Sequence, residues 1–338
     1  MEFINDKTTI DFYLQQSLIY LFKKDSNKVI ELCNNILKKC DEQLKDFDGK
    51  SVRESEEEKK LKEQKYNGCI ILGHAYYLQN NLFDSEENYV KGIKCKPSDK
   101  KFDMKMLARL GRIYIRRKTW EDARIVFEKL LQSSQANYAF AWRYLGYALT
   151  KIPKFKAAEE ALTEAILLDL ENPLTWSYMC MYCLEVGMHK DELEALPNLS
   201  SVEGSDTKRK QNENESLDKS KAKIEGIDKK RLKEAKECLN EVLLKDYKDV
   251  EILFELAHLL LKSGQKEDGT NDEAELVSNL YKRILNINPE NEDAAKRLAI
   301  VYAEYIPKNT QEGIDRLNKF KEKLEEERKK LEEYQNDN

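Results

Sequence analysis

Ten basic and aromatic side chains have the types and spacing needed to bind an acidic segment of another protein. Most recur at intervals of three, four or seven residues, so helices would present them on one face. They are Lys105, Arg109, Arg112, Arg116, Phe140, Arg143, Tyr144, Tyr147, Lys151 and Tyr178. Guanidinium groups form paired hydrogen bonds with carboxylates, and tyrosine rings stack on cations and other rings. The pattern favours a groove for an acidic, partly aromatic peptide or helix.

The charge around these residues changes sign along the chain. Residues 104–156 contain 12 Lys or Arg against 3 Asp or Glu, a balance of +9, whereas residues 157–195 contain 1 basic against 9 acidic residues, a balance of −8. A basic surface of this kind suits an acidic partner. A plainer interpretation stays open, in which the arginines form a solvated face and the charge step holds neighbouring helix pairs together.

A Cys-x-x-Cys pair, Cys180 and Cys183, is a second pattern able to do chemistry, since such pairs serve as redox or zinc motifs elsewhere. Both residues fall in the middle of an expected helix, away from the helix N-terminus that lowers the pKa of a thiol. No second Cys pair follows, and His189 alone does not complete a tetrahedral zinc site. The sequence therefore predicts that these thiols pack in a core.

Motifs of the common enzyme classes are absent from the sequence. It has no Gly-rich phosphate loop, no Gly-x-Ser-x-Gly and no His-Glu-x-x-His. His74 and His258 follow small residues at equivalent places in the repeat described next, which indicates groove or packing positions. We therefore predict a protein that is not an enzyme and holds neither cofactor nor metal. The net charge of −5 and the pI near 5.6 argue against nucleic acid as a partner.

A 34-residue period predicts the elements that position these side chains. Trp142 and Trp176 are 34 residues apart, and Trp142 is followed by Leu145-Gly146 and, twelve residues after the glycine, by Ala158. This spacing is the signature of the tetratricopeptide repeat (TPR), a pair of antiparallel helices. The large ring fills the gap to the next repeat, while Gly146 and Ala158 allow two helix backbones to approach closely. Since one pair cannot bury its own apolar face, the repeats must stack.

The repeat template divides the chain into six stretches. We expect a degenerate helix pair at 1–43, a charged linker or helix extension at 44–65, core repeats at 66–196, a disordered polar insertion at 197–228, further repeats at 229–320, and a charged capping helix and tail at 321–338. The tail has leucines seven apart, which suits either a short coiled coil or a polar solenoid cap. The predicted fold is all-α, a TPR α-solenoid in which about six or seven antiparallel helix pairs form a right-handed superhelix.

Composition agrees with an almost entirely helical protein. Charged residues make up 36% of the 338 residues and hydrophobic residues 41%, with only 12 Gly and 6 Pro. The N-terminus has no basic segment followed by an apolar run, and no stretch approaches the roughly 18 apolar residues that a membrane span needs. Seven cysteines, an odd number, favour reduced and buried thiols. We therefore expect no membrane association and a place in the cytoplasm or cytoskeleton.

Residues 66–190 resemble one particular group of TPR proteins. The segments that match are Gly73-His-Ala-Tyr-Tyr, Leu110-Gly-Arg-Ile-Tyr, Trp142-Arg-Tyr-Leu-Gly, Ala158-Glu-Glu-Ala-Leu-Thr-Glu-Ala, Asn172-Pro-Leu-Thr-Trp and Cys183-Leu-Glu-Val-Gly. Together they resemble the C-terminal TPR array of the cilia- and flagella-associated proteins of the axonemal central apparatus. The family's large N-terminal region has no counterpart in this sequence, and two repeats follow the polar insertion. The resemblance implies a non-enzymatic structural subunit of a large hetero-complex in the motile-cilium axoneme, with other axonemal proteins as its partners.

Two other TPR functions can be compared with these residues. A chaperone-binding clamp needs a Lys and two Asn at fixed groove positions plus a further Lys and Arg, but the aligned positions hold Ala108, Arg112, Tyr144, Leu174 and Tyr178. The sequence therefore lacks that clamp. An alternative stays open: a soluble adaptor or assembly factor that binds an acidic peptide or helix in its concave groove. A structural subunit buries extensive surface permanently, whereas an adaptor keeps one groove accessible.

Overall fold

The computed structural model describes residues 8–47, 55–133, 138–189, 228–265, 271–305 and residue 322. Thirteen α-helices lie within these ranges: α1 (Thr8–Phe22), α2 (Ser26–Lys45), α3 (Glu56–Leu78), α4 (Leu82–Cys95), α5 (Met104–Arg116), α6 (Trp120–Ser133), α7 (Ala139–Lys151), α8 (Phe155–Leu168), α9 (Pro173–Met188), α10 (Lys229–Leu244), α11 (Val250–Ser263), α12 (Ala274–Ile287) and α13 (Glu292–Glu304). The one extended pairing in the described ranges is an isolated bridge between Gln265 and Asn271. The all-α prediction is confirmed.

The helices of the first compact unit, Met1–Asp169, form four hairpin-like pairs. Within each pair the helices pack together, α1 with α2, α3 with α4, α5 with α6 and α7 with α8. Turns of three residues join them, at 23–25, 79–81, 117–119 and 152–154. In three of these turns a residue with φ of 59°, Lys24, Asn80 or Lys118, reverses the chain direction through the left-handed region. This helix–turn–helix unit is the TPR that the 34-residue period predicts.

Short polar side chains begin several of these helices. Ser55 accepts a hydrogen bond from the Glu58 amide at 3.1 Å, and Asp103 accepts one from the Met106 amide at 2.6 Å. Each side chain satisfies a backbone N–H group that the first helical turn leaves without a partner, which typically stabilises a helix by about 1 kcal/mol. The N-cap at Asp103 matters most for function, because it fixes where α5 begins.

Close helix contact depends on the glycine of each Leu-Gly pair. A Cβ atom at Gly111 would lie 2.6 Å from the Cζ atom of Phe127. At Gly146 it would lie 2.5 Å from Cγ of Leu162 and 3.1 Å from the backbone nitrogen of the same residue. Any side chain at these places would push the two helices of the pair apart, and this explains the small residues in the repeat signature.

The second compact unit, Leu170–Asn338, begins with a helix whose partner comes much later in the sequence. α9 packs against α10 and α11, α11 packs against α12, and α12 packs against α13. The Asp228 amide donates a hydrogen bond to the Gly187 carbonyl at 3.2 Å, so the start of α10 lies beside the end of α9. The two helices form a pair although residues 190–227 separate the parts that the structure describes.

Some of the predicted stretches fall outside the described residues. The polar insertion at 197–228 does so except for residue 228, and the tail at 321–338 does so except for residue 322. In the charged stretch at 44–65, α3 begins at Glu56, so residues 56–65 are helical. None of the helices within the described ranges is both long and apolar enough to cross a membrane.

Candidate protein interface

One face of α5 carries four cations. Lys105, Arg109, Arg112 and Arg116 follow the i, i+4, i+7, i+11 spacing of a single helix face, and they extend over about 16 Å of helix. Buried residues, among them Met106, Leu107, Leu110 and Ile113, occupy the rest of the helix circumference. Lys105, Arg112 and Arg116 are exposed, and Arg109 is half-buried. The amphipathic pattern of α5 therefore directs the cations away from the core.

Arg109 is fixed by contacts with the preceding helix pair. Its guanidinium lies 4.9 Å from the centre of the Tyr77 ring in α3, and it also acts on Tyr89 in α4 by lowering the pKa of the Tyr89 hydroxyl. Tyr89 is fully buried, and this burial raises the pKa of its hydroxyl to about 12. Arg109 thus connects α5 to the α3–α4 pair and holds its charge in one place beside the exposed cations.

The three exposed cations of α5 have little to bind within the molecule. Within the described ranges, Lys105 and Arg112 form no ion pair, and Arg116 makes only a 3.4 Å hydrogen bond to the side chain of Asn80. Neighbouring arginines differ, since Arg117 pairs with Glu86 at 2.5 Å and Arg124 pairs with Glu121 and Glu128. Lys105, Arg112 and Arg116, called the α5 row below, are therefore exposed cations on one helix face that form no ion pair within the described ranges.

The aromatic residues of α7 pack largely against the preceding pair. Tyr144 stacks on Phe127 of α6, with ring centres 5.5 Å apart and an angle of 14° between the rings. Tyr147 meets Trp120 of α6 edge-on at 5.5 Å, and only 5% of its surface is exposed. These two contacts join the α5–α6 pair to the α7–α8 pair. Tyr144 is half-buried and still reaches the surface, whereas Tyr147 is buried.

The remaining predicted residues also divide into buried and half-buried side chains. Arg143 is 7% exposed, and its Nη2 atom lies 3.2 Å from Oδ2 of Asp169, within the acidic part of the charge step. Phe140 and Lys151 are half-buried, beside Tyr138 at 5.5 Å and over the Tyr147 ring at 5.7 Å respectively. Tyr178 belongs to α9 in the second unit and is 3% exposed. The accessible part of the predicted set is therefore the α5 row together with Phe140, Tyr144 and Lys151.

A buried polar cluster that sequence reasoning missed positions the start of α5. His74 Nδ1 lies 2.6 Å from the hydroxyl of Tyr89, and its Nε2 atom lies 3.7 Å from Oδ1 of Asp103, the N-cap of α5. Burial lowers the pKa of His74, although Asp103 acts in the opposite direction. His258, at the equivalent place in α11, is exposed. The sequence alone could not separate these two histidines, because the difference lies in what the neighbouring helices place against them.

Cys180 and Cys183 lie in the core of the second unit. Both are buried in α9, and burial raises the pKa of the Cys180 thiol well above its ordinary value. The Cys183 thiol forms a hydrogen bond with Cys238 of α10, which raises the pKa of Cys183. Within the described part of the chain, no group of three or more His, Cys, Asp or Glu side chains is arranged to hold a metal ion. The pair packs α9 against α10.

Helix pairs joined by three-residue turns, with small residues where the helices cross, define a TPR protein. Residues 34–197 match the family model described as "Cilia and flagella-associated protein 70 C-terminal domain". The matched range contains both α5 and α7. The resemblance deduced from the sequence is thereby confirmed: the chain is a TPR protein similar to the C-terminal TPR array of that family.

Two relatives carry the same name. Cilia- and flagella-associated protein 70 of Homo sapiens is 29% identical over 125 residues, which is 37% of this chain and 11% of the human protein. The Macaca fascicularis protein is 32% identical over 87 residues, which is 26% of this chain and 8% of that protein. The match therefore covers about a tenth of the length of these relatives.

Several solved TPR structures are similar in fold. PilF of Pseudomonas aeruginosa shares 12% identity at a TM-score of 0.46, covering 86% of this chain and 97% of that one. MamA of AMB-1 shares 14% identity at a TM-score of 0.39, covering 56% and 88%. YrrB, described as a TPR protein with an unusual peptide-binding site, shares 14% identity at a TM-score of 0.37, covering 72% and 98%.

Proposed function

We propose that this chain is a non-enzymatic protein-interaction scaffold that binds an acidic segment of a partner along α5 and α7. Three exposed cations on α5, Lys105, Arg112 and Arg116, are the observation that carries the proposal. They share one helix face and form no ion pair among the described residues. An exposed basic row beside half-buried aromatic rings suits a partner that supplies both carboxylates and apolar contacts.

The spacing of the row specifies the partner further. Lys105 and Arg112 are seven residues apart, about 10 Å along the helix, and Arg112 and Arg116 are four apart, about 6 Å. An acidic helix with carboxylates on one face at the same intervals matches all three cations. Phe140 and Tyr144 belong to α7, which packs against α5, and they can supply apolar contact.

We infer that the scaffold belongs to a motile-cilium axonemal complex, within the central apparatus, as one subunit of a large hetero-complex of axonemal proteins. Support comes from the family match over residues 34–197 and from the two relatives named as cilia- and flagella-associated proteins. The location that this proposal implies is the cytoplasm and cytoskeleton, within the axoneme of the cilium. Neither nucleic acid nor membrane is a partner in this proposal, and no cofactor is required.

A soluble adaptor or assembly factor is the second candidate. The exposed cations Lys105, Arg112 and Arg116 suit a partner that binds transiently as well as one that stays bound. Both candidates use the same groove, so they differ in how long the partner stays bound.

Binding to a synthetic helical peptide tests the groove directly. The peptide carries Glu at positions matching the α5 intervals and a Tyr between them, and its Glu→Gln counterpart is the peptide control. We expect the triple variant Lys105→Glu/Arg112→Glu/Arg116→Glu to weaken binding by about 100-fold or more in fluorescence anisotropy, since each reversal replaces attraction with repulsion.

The matched protein control has the same change in net charge. Lys38, Lys94 and Lys156 are exposed on α2, α4 and α8, the second helices of three pairs. Reversing these three to Glu should leave the affinity within about twofold of wild type. An equal loss of affinity in both triple variants would mean that net charge alone drives binding. Unchanged affinity in the α5 variant would contradict the proposed groove.

A further inference from the structure

A groove of about 870 Å³ opens between α2, α3 and α4, on helices that do not include the α5 row. Two cysteines from different helices line it, Cys69 of α3 and Cys95 of α4. Five lysines also line it, Lys38, Lys45, Lys65, Lys91 and Lys94, together with the carboxylates of Asp41 and Glu42. Cys95 is half-buried beside these charges, whereas Cys69 and the other five cysteines are buried.

The two thiols are brought together by the close approach of α3 and α4. A Cβ atom at Gly92 would lie only 3.3 Å from Cβ of Cys69, so α4 lies directly against Cys69 at this turn. One turn further along α4, Sγ of Cys95 donates a hydrogen bond to the Gly92 carbonyl at 3.3 Å. Cys95 therefore folds back over the glycine, and it lines the same groove as Cys69.

The surroundings give the two sulfurs different roles. Cys69 is 1% exposed, whereas Cys95 is half-buried and reaches the groove. The interaction between the two thiols, together with burial, raises the pKa of Cys69, and the same interaction lowers the pKa of Cys95. Lys65 also lowers the pKa of Cys95, while burial and Asp41 oppose the change. A thiolate at an accessible position is the nucleophilic form of cysteine.

We propose that Cys95 and Cys69 form a peroxide-reactive thiol pair that closes to a disulfide between α3 and α4. The Cys95 thiolate attacks one oxygen of hydrogen peroxide, the O–O bond breaks, and Cys95 becomes a sulfenic acid while hydroxide leaves. The Cys69 thiol then loses its proton and attacks the Cys95 sulfur, which releases the hydroxyl group as water and forms the S–S bond. Peroxide is reduced by two electrons, which the two thiols supply.

The bond would fix the C-terminal end of α4 to the middle of α3. Residues 96–103 connect that end of α4 to α5, whose N-cap is Asp103. Oxidation would therefore restrict the junction between two helix pairs, because the cross-link lies immediately before it. This inference concerns α3 and α4 alone and does not depend on the groove of α5 and α7.

Peptide mapping of the reduced, full-length protein after treatment with hydrogen peroxide tests the pair. Trypsin separates the relevant cysteines, placing Cys40 in residues 40–45, Cys69 in 66–91 and Cys95 in 95–100. We expect a cross-linked 66–91/95–100 peptide, and loss of the Cys95 thiol about tenfold faster than loss of the buried Cys33 thiol. Burial raises the pKa of Cys33 to about 11, so Cys33 is a suitable internal reference.

Two variants assign the roles. Cys69→Ser should stop the reaction at a Cys95 sulfenic acid that dimedone traps, and Cys95→Ser should give neither the adduct nor the cross-link. Cys238→Ser, in the second unit, is the matched control and should leave the 69–95 cross-link unchanged. The proposal would be overturned if Cys95 reacted no faster than Cys33, or if Cys95 paired with Cys40 while circular dichroism still showed the native helix content.

Discussion

At the scale of single residues, a cation's role depends on which carboxylate the fold brings to it. Arg143 and Arg112 belong to the same basic stretch, yet Arg143 is buried against Asp169 while Arg112 is exposed without an ion pair in the described ranges. Asp169 gives the buried guanidinium of Arg143 an ion-pair partner, although the carboxylate itself is partly exposed to solvent. Arg143 therefore stabilises the fold, and the cations of α5 are the ones left for a partner.

His74 should make stability depend on pH. Burial lowers the pKa of His74, so below about pH 6.5 the unfolded chain takes up a proton that the folded chain does not. The stabilisation is fully present above that pH and is lost as the pH falls toward the lowered pKa. The groups that face His74 are Asp103, Tyr89, Arg109 and Lys105.

The variant His74→Gln retains a hydrogen-bonding group for Tyr89 but does not titrate. We expect the Tm of the wild type to fall more than that of the variant between about pH 7.5 and about pH 5.5. His258→Gln, at the equivalent but exposed position, should behave like the wild type. An equal fall in Tm for the wild type and His74→Gln would contradict the burial of a neutral His74.

At the scale of helices, the repeat depends on close contact at the Leu-Gly glycine. Gly146→Ala should destabilise the protein by about 1–3 kcal/mol, because its Cβ would meet both the side chain and the backbone of Leu162. This cost exceeds the gain of about 1 kcal/mol that alanine brings to a helix interior. The shift of the urea midpoint, followed by circular dichroism, measures the difference.

A second glycine provides the control for that substitution. A Cβ at Gly68 would meet the terminal methyl of Leu37 at 3.2 Å, and this flexible side chain can move aside. The free energy of unfolding of Gly68→Ala should therefore lie within about 1 kcal/mol of the wild-type value. If Gly146→Ala were as stable as Gly68→Ala, the close packing of α7 against α8 would not require a glycine at position 146.

The helices and their pairing could be predicted from the sequence. Which of the candidate groove residues are exposed could be predicted only in part. The period of Trp142 and Trp176 predicts the repeat, and the spacing of Lys105, Arg112 and Arg116 predicts one exposed face of α5. Such patterns are local, since they depend only on helical geometry. They cannot show that Trp120 covers Tyr147 or that Asp169 reaches Arg143, because those contacts join different helices.

The Cys69–Cys95 pair was invisible in the sequence for the same reason. The two cysteines are 26 residues apart, and neither lies in a recognisable motif. They meet because Gly92 allows α4 to lie against α3 at that turn. A reader of the sequence would have noticed Cys180 and Cys183 instead, whose side chains lie buried in the second unit.

At the scale of the whole molecule, the chain consists of two compact units, and the α5 row lies in the first. The family match over residues 34–197 contains all of α3 to α9. The proposed ciliary role and the proposed groove therefore fall within the same part of the chain. A groove that anchors the protein in an axonemal complex should be needed for its retention there.

Retention of the tagged protein in isolated cilia, after detergent extraction and a high-salt wash, is the most direct measurement. We predict that the wild type and the Lys38→Glu/Lys94→Glu/Lys156→Glu control stay with the washed axoneme, while the Lys105→Glu/Arg112→Glu/Arg116→Glu variant is released. Release of the wild type with detergent would favour the soluble adaptor. Retention of the α5 variant at the wild-type level would contradict the claim that this helix face binds the partner.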